Sequence, residues 1–307
     1  MHNYVSFDIG GTTIKYGLLN AKGEILAHAA VPTPKDRDEL LAVLTSVVNM
    51  YADQHPQAVG ISVPGIVQRD GYMITGGAID CLYECPLGEL VSKATALPVH
   101  VENDANAATI AEAWLGAAQG VKDYLLLALG TGIGGGIVIN GAVFRGAHGM
   151  AGEIGWNVTH DIDWTDDLEA SSLNFHAAVV SGLVRCYNAS LKQVDHDAEA
   201  VADARQIIDL AHAGDAIAAP IYREFLVDVG VMCCNLLSTF DPELILIGGG
   251  ISANDQFIAD LQGQLDELLA RHTSLNRVKQ RVLGKVVAAC LRNNAGLLGA
   301  VYPLVEV

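Results

Sequence analysis

The feature that most constrains this chain is a set of three glycine-rich turns, each placed at the end of an apolar strand: Asp8-Ile9-Gly10-Gly11-Thr12-Thr13, Gly130-Thr131-Gly132-Ile133-Gly134-Gly135-Gly136 and Gly248-Gly249-Gly250. A glycine lets backbone N–H groups approach an anion that a Cβ atom would hold away. Three such turns spread along one chain predict a nucleotide gripped from several sides. Between the first two lies Glu102-Asn103-Asp104-Ala105-Asn106, a polar cluster opening an alanine-rich helical stretch. Asp104 is then either a proton acceptor beside the nucleotide or part of the helix N-cap.

A chain of 307 residues with 51% hydrophobic content predicts two lobes, each with a sizeable core. Its formal charge of −17, with only 18 Lys and Arg, argues against nucleic acid and anionic membranes as partners. The same charge repels a polyphosphate ligand. Such a site must therefore rely on backbone dipoles, a divalent metal and one or two basic side chains. No apolar run reaches the roughly 18 residues of a membrane span, and the N-terminus lacks the regions of a signal peptide, so a cytoplasmic protein is expected. The six cysteines (Cys81, Cys85, Cys186, Cys233, Cys234 and Cys290) are irregularly spaced and read as thiols, mostly in the core. Cys81 and Cys85 lack the second ligand pair that a zinc site requires.

Apolar runs predict strands at Tyr4–Phe7, Ile14–Leu19, Val59–Val63 and Val99–Val101, and helices at Asp38–Tyr51 and Ala105–Leu115. A second unit starts with the strand Tyr124–Leu129, turns through Gly130 to Gly136 and resumes at Ile137–Ile139. Helices dominate from about Ala170 to Thr239, the strand Leu244–Ile247 leads into the third glycine turn, and Asn293–Val305 is helical in composition. Strand, glycine turn, strand occurs twice, which points to an internal structural duplication.

The motifs quoted so far, together with Ala151-Gly152-Glu153-Ile154-Gly155 and Asn294-Ala295-Gly296-Leu297-Leu298-Gly299-Ala300, resemble the ROK family of sugar kinases and repressors nearly end to end. The resemblance implies an α/β, two-lobed actin-like ATPase (ribonuclease H-like) fold with a nucleotide and sugar cleft between the lobes. It places residues 1–115 and a returning C-terminal helix 293–307 in one lobe and residues 116–292 in the other. It further implies a homodimer, with ATP and Mg²⁺ as cofactors and a sugar as substrate. The reaction implied is phosphorylation of the 6-hydroxyl of a hexose or β-glucoside; a glucokinase, an N-acetylmannosamine kinase or a sugar-binding regulator are the alternatives. A regulator of this family carries a DNA-binding module ahead of the sugar domain, and none is expected where the first strand begins at about Tyr4.

On this resemblance Asp104 is the general base. Asp8 orients the hydration shell of Mg²⁺, unless it merely closes its own turn. ATP-binding residues are Asp8, Gly10, Gly11, Thr12, Thr13, Thr131, Gly132, Gly134, Gly249 and Gly250, with Lys15 either facing the phosphates or standing as an exposed strand lysine. Sugar-binding residues are Gly65, Gly77, Asn103, Asp104, Glu153 and Glu169, the last with the alternative of a first-turn helix carboxylate.

Two departures bear on substrate. The family's zinc module of His plus a cysteine cluster is missing: Trp156 stands at the histidine position and residues 156–169 contain no cysteine, so no zinc site is expected and His160 reads as a solvated loop histidine. Gly76-Gly77-Ala78-Ile79 replaces an asparagine-leucine segment common in glucokinases, a pattern similar to the zinc-free β-glucoside kinase branch. Trp156 itself is either an apolar plug, the favoured reading, or an aromatic face for a sugar ring or aglycone.

Overall fold

The structure is a computed structural model and describes residues 2–279 and 281–305. The last two positions of the predicted C-terminal segment, 306 and 307, lie outside the described residues. Close packing divides the chain into two units. One joins the chain up to Gly120 with Val143–Ala151 and the C-terminal stretch from Asn293; the other comprises Val121–Ala142 and Gly152–Arg292.

The first unit is built on β1 (Asn3–Ile9), β2 (Thr13–Asn20), β3 (Ile25–Pro32), β4 (Pro56–Val63) and β5 (Val99–Asn103), with helices α1 (Arg37–Met50), α2 (Leu87–Thr95) and α3 (Asp104–Leu115). Strand order is β3-β2-β1-β4-β5, the first three antiparallel and β1, β4 and β5 parallel. Helical crossovers cover the parallel strands, so β4 reads as a nearly unbroken apolar run with Val59, Ile61 and Val63 inaccessible to solvent. Leu40 and Leu44 of α1, four apart on one helical face, fill the core against Val5 and Phe7 of β1.

The second unit repeats the scheme. It contains β6 (Tyr124–Leu129), β7 (Ile133–Ile139), β8 (Ala142–Val143), α4 (Leu173–Ala177), α5 (Arg185–Val194), α6 (Ala204–His212), α7 (Ala218–Phe240), β9 (Leu244–Gly248), α8 (Asp255–Arg271), α9 (Thr273–Val278) and β10 (Lys285–Ala288). Its order β8-β7-β6-β9-β10 matches the first sheet strand for strand, with an antiparallel β6–β7 hairpin and parallel β9 and β10. The duplication predicted from two glycine turns is therefore present in topology.

The final helix, α10 (Ala295–Val305), lies against α3, β4 and β1 of the first unit. Ser6 Oγ donates to the carbonyl of Leu297 at 2.7 Å, tying the two ends of the chain together. Residues Val143–Ala151 also pack with the first unit, an excursion that nothing in the sequence signals. Among the described residues no helix is long and apolar enough to cross a membrane.

Candidate active site

Asp8 stands at the end of β1, where its partner in the β1–β2 register is Lys15. The Lys15 ammonium donates to Asp8 Oδ2 at 3.3 Å, and Ser62 Oγ, at the end of β4, donates to Oδ1 at 3.1 Å. Lys15 is thus neither free nor simply exposed. Behind this carboxylate runs α10, and a Cβ on Gly296 would lie 2.5 Å from Asp8 Oδ1 and 2.6 Å from its Cγ. The turn closes through Gly10 N–H to the Thr13 carbonyl at 3.0 Å, while Thr33 Oγ1 donates to the Gly10 carbonyl at 2.6 Å. That bonding leaves Thr12 and Thr13 facing solvent.

The β5–α3 junction presents Asn103 and Asp104. Capping of α3 falls to Asn103, whose Oδ1 accepts from Asn106 N–H at 3.0 Å, and Asp104 is the first helical residue. Asp104 Oδ1 accepts from Ala105 N–H at 2.8 Å and from Asn103 Nδ2 at 3.2 Å, so the carboxylate is aimed by its neighbours and remains accessible. Crowding by protein, and then the charge of Asp8, raises the Asp104 carboxyl above its ordinary value against the hydrogen bond from Ala105. Its access to solvent tempers that rise.

Asn103 Nδ2 also donates to the Gly65 carbonyl at 3.0 Å. Gly65 (φ 100°) and Gly77 (φ 57°) both use the left-handed region and pack against one another, so the four predicted sugar residues of this unit form one patch. Tyr83 Oη anchors the second turn at the Gly77 carbonyl, 3.2 Å away.

Beneath the junction sits Glu102, a residue the sequence reading left without a role. It is buried, and its Oε1 accepts from Asn103 N–H at 3.2 Å and Asn106 Nδ2 at 3.3 Å. The guanidinium of Arg145, from the Val143–Ala151 excursion, bonds both carboxylate oxygens. Burial alone would raise the Glu102 pKa; His100, whose Nε2 lies 3.5 Å away but is poorly aimed for a hydrogen bond, and Arg145 together reverse this and hold it below the ordinary value. Arg145 is isolated in sequence, with no motif to mark it.

In the second unit the two remaining glycine turns meet. Thr131 and Gly132 are exposed at the β6–β7 turn, and Asn174 of α4 supports it by accepting from Ile133 N–H at 2.6 Å. Gly249 has φ 85° and passes so close to the backbone of Leu129 that no side chain would fit. Next to these turns lies a cavity of about 630 Å³ walled by Gly130, Thr131, Val179, Val180, Gly250 and Ile251. Asp203, Arg205 and Asn254 add polar side chains to these apolar walls, a mix that suits a nucleoside.

Glu153 immediately precedes a 3₁₀ turn, Ile154–Trp156, in this second unit. Glu169 is exposed in the first turn of a 3₁₀ segment, Leu168–Ser171, and its N–H is capped by Asp167 Oδ1 at 2.9 Å. Two expectations are corrected here. Trp156 is 48% exposed, so it is not a buried plug. His160 is not a solvated loop residue: its ring stacks on His176 with centroids 3.5 Å apart, and its Nε2 lies 3.4 Å from Asp228 Oδ1.

Known proteins similar to this chain include sugar kinases. A β-glucoside kinase from Listeria monocytogenes is 33% identical, covering 98% of this chain and 97% of that protein. A glucokinase from Halalkalibacterium halodurans is 32% identical, covering 96% and 93%. The crystal structure of a ROK family glucokinase from Streptomyces griseus, in complex with glucose and AMPPNP, matches 97% of each chain with a TM-score of 0.78 and 30% identity. The sequence model of the ROK family matches residues 4–306, and the chain belongs to that family.

Proposed function

We propose that this ROK protein transfers the γ-phosphoryl group of ATP to the 6-hydroxyl of a hexose unit, the non-reducing glucose of a β-glucoside being the favoured acceptor. It is a carbohydrate kinase, like the glucokinase and β-glucoside kinase relatives that it matches nearly end to end. The observation that supports Asp104 as the base is the division of labour at the β5–α3 junction. Because Asn103 caps the helix, Asp104 is spare for chemistry.

Asp104 accepts the proton of the sugar hydroxyl as the bond to phosphorus forms, and the loose transition state asks only weak basicity of it. Asn103, Gly65 and Gly77 orient the sugar from the same patch, with Glu153 and Glu169 as further hydroxyl acceptors. Gly10, Gly11, Thr12 and Thr13, together with Thr131, Gly132 and Gly134, donate to phosphate oxygens, and Gly249 and Gly250 lie along the nucleoside. Lys15 adds a positive charge that Asp8 holds in place. Oxygen donors fit Mg²⁺, and Asp8 would hold it through water; bound there, it neutralises charge on the phosphates. A homodimer and a cytoplasmic address, where ATP is at hand, belong to the same reading.

An ADP-release assay over glucose, mannose, N-acetylmannosamine, fructose, cellobiose and gentiobiose tests the proposal. The highest kcat/KM should fall on a β-linked disaccharide. A preference for glucose or N-acetylmannosamine with no β-glucoside turnover would transfer the activity to that sugar.

A further inference from the structure

The second unit holds a cluster that phosphoryl transfer does not use. His160 lies in the stretch between the Ile154–Trp156 and Leu168–Ser171 turns, His176 in α4 and Asp228 in α7. One ring nitrogen of each histidine and one carboxylate oxygen of Asp228 all lie within 4.8 Å of one another. All three line a cavity of about 870 Å³ that also includes Cys186, Arg223 and Glu224.

Each imidazole is arranged as metal-binding imidazoles are. His176 Nε2 lies 2.9 Å from the Ala170 carbonyl, which can only accept, so this nitrogen carries the proton and Nδ1 is left with a lone pair. His160 Nδ1 is 3.1 Å from Thr159 Oγ1, leaving Nε2 to face Asp228. For His176 the Ala170 carbonyl fixes the tautomer, the usual outer shell of a histidine ligand; the Thr159 hydroxyl, which can donate as well as accept, orients the His160 ring without fixing its proton. Asp228 is mostly buried, so its negative charge faces the two rings with little competition from water.

We infer that His160, His176 and Asp228 form a divalent transition-metal site, a three-ligand Zn²⁺ site whose fourth position opens into the cavity for water. Tetrahedral zinc at about 2.0–2.2 Å from its ligands sets those atoms roughly 3.3 Å apart. The His160–Asp228 separation of 3.4 Å already meets that requirement. His176 joins when the two stacked rings tilt apart. Two imidazoles and one carboxylate suit zinc better than Mg²⁺ or Ca²⁺, which take oxygen ligands. None of the six cysteines belongs to the set. A bound ion would tie the exposed segment bearing Trp164 to α4 and α7, because His160 supplies the only ligand from that segment.

The test is direct metal binding to the full-length protein. Metal-stripped protein is dialysed against buffered Zn²⁺, its zinc content is measured, and affinity is read by competition with a chromophoric chelator. About one Zn²⁺ per chain is expected, with proteolysis inside residues 157–168 slowed by the metal. His160→Ala, a loop substitution that leaves the core untouched, should weaken binding by about 100-fold, and so should Asp228→Asn, judged on protein whose circular dichroism matches wild type. Two outcomes would overturn the site. One is no stoichiometric uptake; the other is uptake that both variants leave unchanged, which would assign the zinc to thiols such as the exposed Cys290.

Discussion

Arg145 holds Glu102 by both carboxylate oxygens, and this pair forms the floor beneath the junction that presents Asp104. A buried carboxylate stripped of its partner is left with an uncompensated charge, at about 3–5 kcal/mol. Arg145→Ala should therefore lower stability by roughly 3 kcal/mol, less than the full range allows because Arg145 is itself partly exposed. Urea unfolding would show this as a lower midpoint with unchanged slope. A midpoint equal to wild type would mean that Glu102 is satisfied without the guanidinium.

The same pair sets an acid limit. Glu102 has a folded-state pKa below its ordinary value, so its contribution is fully present above the usual glutamate pKa of about 4.3 and is lost as pH falls through the folded value. Wild type should lose stability relative to Glu102→Gln on acidification below about pH 4. Equal acid sensitivity of the two would remove Glu102 as the group responsible.

Gly296 carries an opposed pair of effects. Ala is the better helix former, by up to about 1 kcal/mol in a helix interior and less at Gly296, the second residue of α10, yet its Cβ would collide with the Asp8 carboxyl group. Gly296→Ala should leave Tm nearly unchanged or slightly lowered while turnover falls by about 100-fold, the scale of an ångström-sized misplacement. Unimpaired turnover would show that Asp8 need not hold its position.

Trp156 exposes half its surface, which leaves an indole face for a second sugar ring. Trp156→Ala should weaken kcat/KM for cellobiose or gentiobiose by up to about tenfold relative to glucose, as stacking of about 0.5–1.5 kcal/mol allows. Equal losses on both sugars would make the residue structural.

The sheets and their duplication were legible because apolar strands and glycine turns are local signals, written in consecutive residues. Asp104 and Asp8 stood out as candidates for the same reason, as did the turns at Gly10 and Gly249, but the second turn was drawn too long: β7 begins at Ile133, so Gly134, Gly135 and Gly136 belong to the strand and only Gly130 to Gly132 make the turn. Arg145, Ser62 and Asn174 were not legible: each acts through one contact made 43, 54 and 41 residues away in sequence. His160 was misread because its partners come from two helices later in the chain, and a loop histidine carries no sign of what folds over it. Trp156 was expected as an apolar plug taking the place of the missing zinc module's packing, yet tryptophan, unlike phenylalanine, is rarely buried in full.

Asp104 as the general base is the central claim, and Asp104→Asn tests it most directly, since the amide keeps the shape and an oxygen for the Ala105 N–H but cannot take a proton. Steady-state kinetics with the preferred sugar should show kcat reduced by about 100-fold or more, with sugar KM changed only a few-fold. The acid limb of the wild-type kcat/KM should also lie at a higher pH than an unperturbed aspartate would give, because crowding raises the Asp104 pKa. A purified, folded Asp104→Asn protein that turns over within a few-fold of wild type would contradict the account.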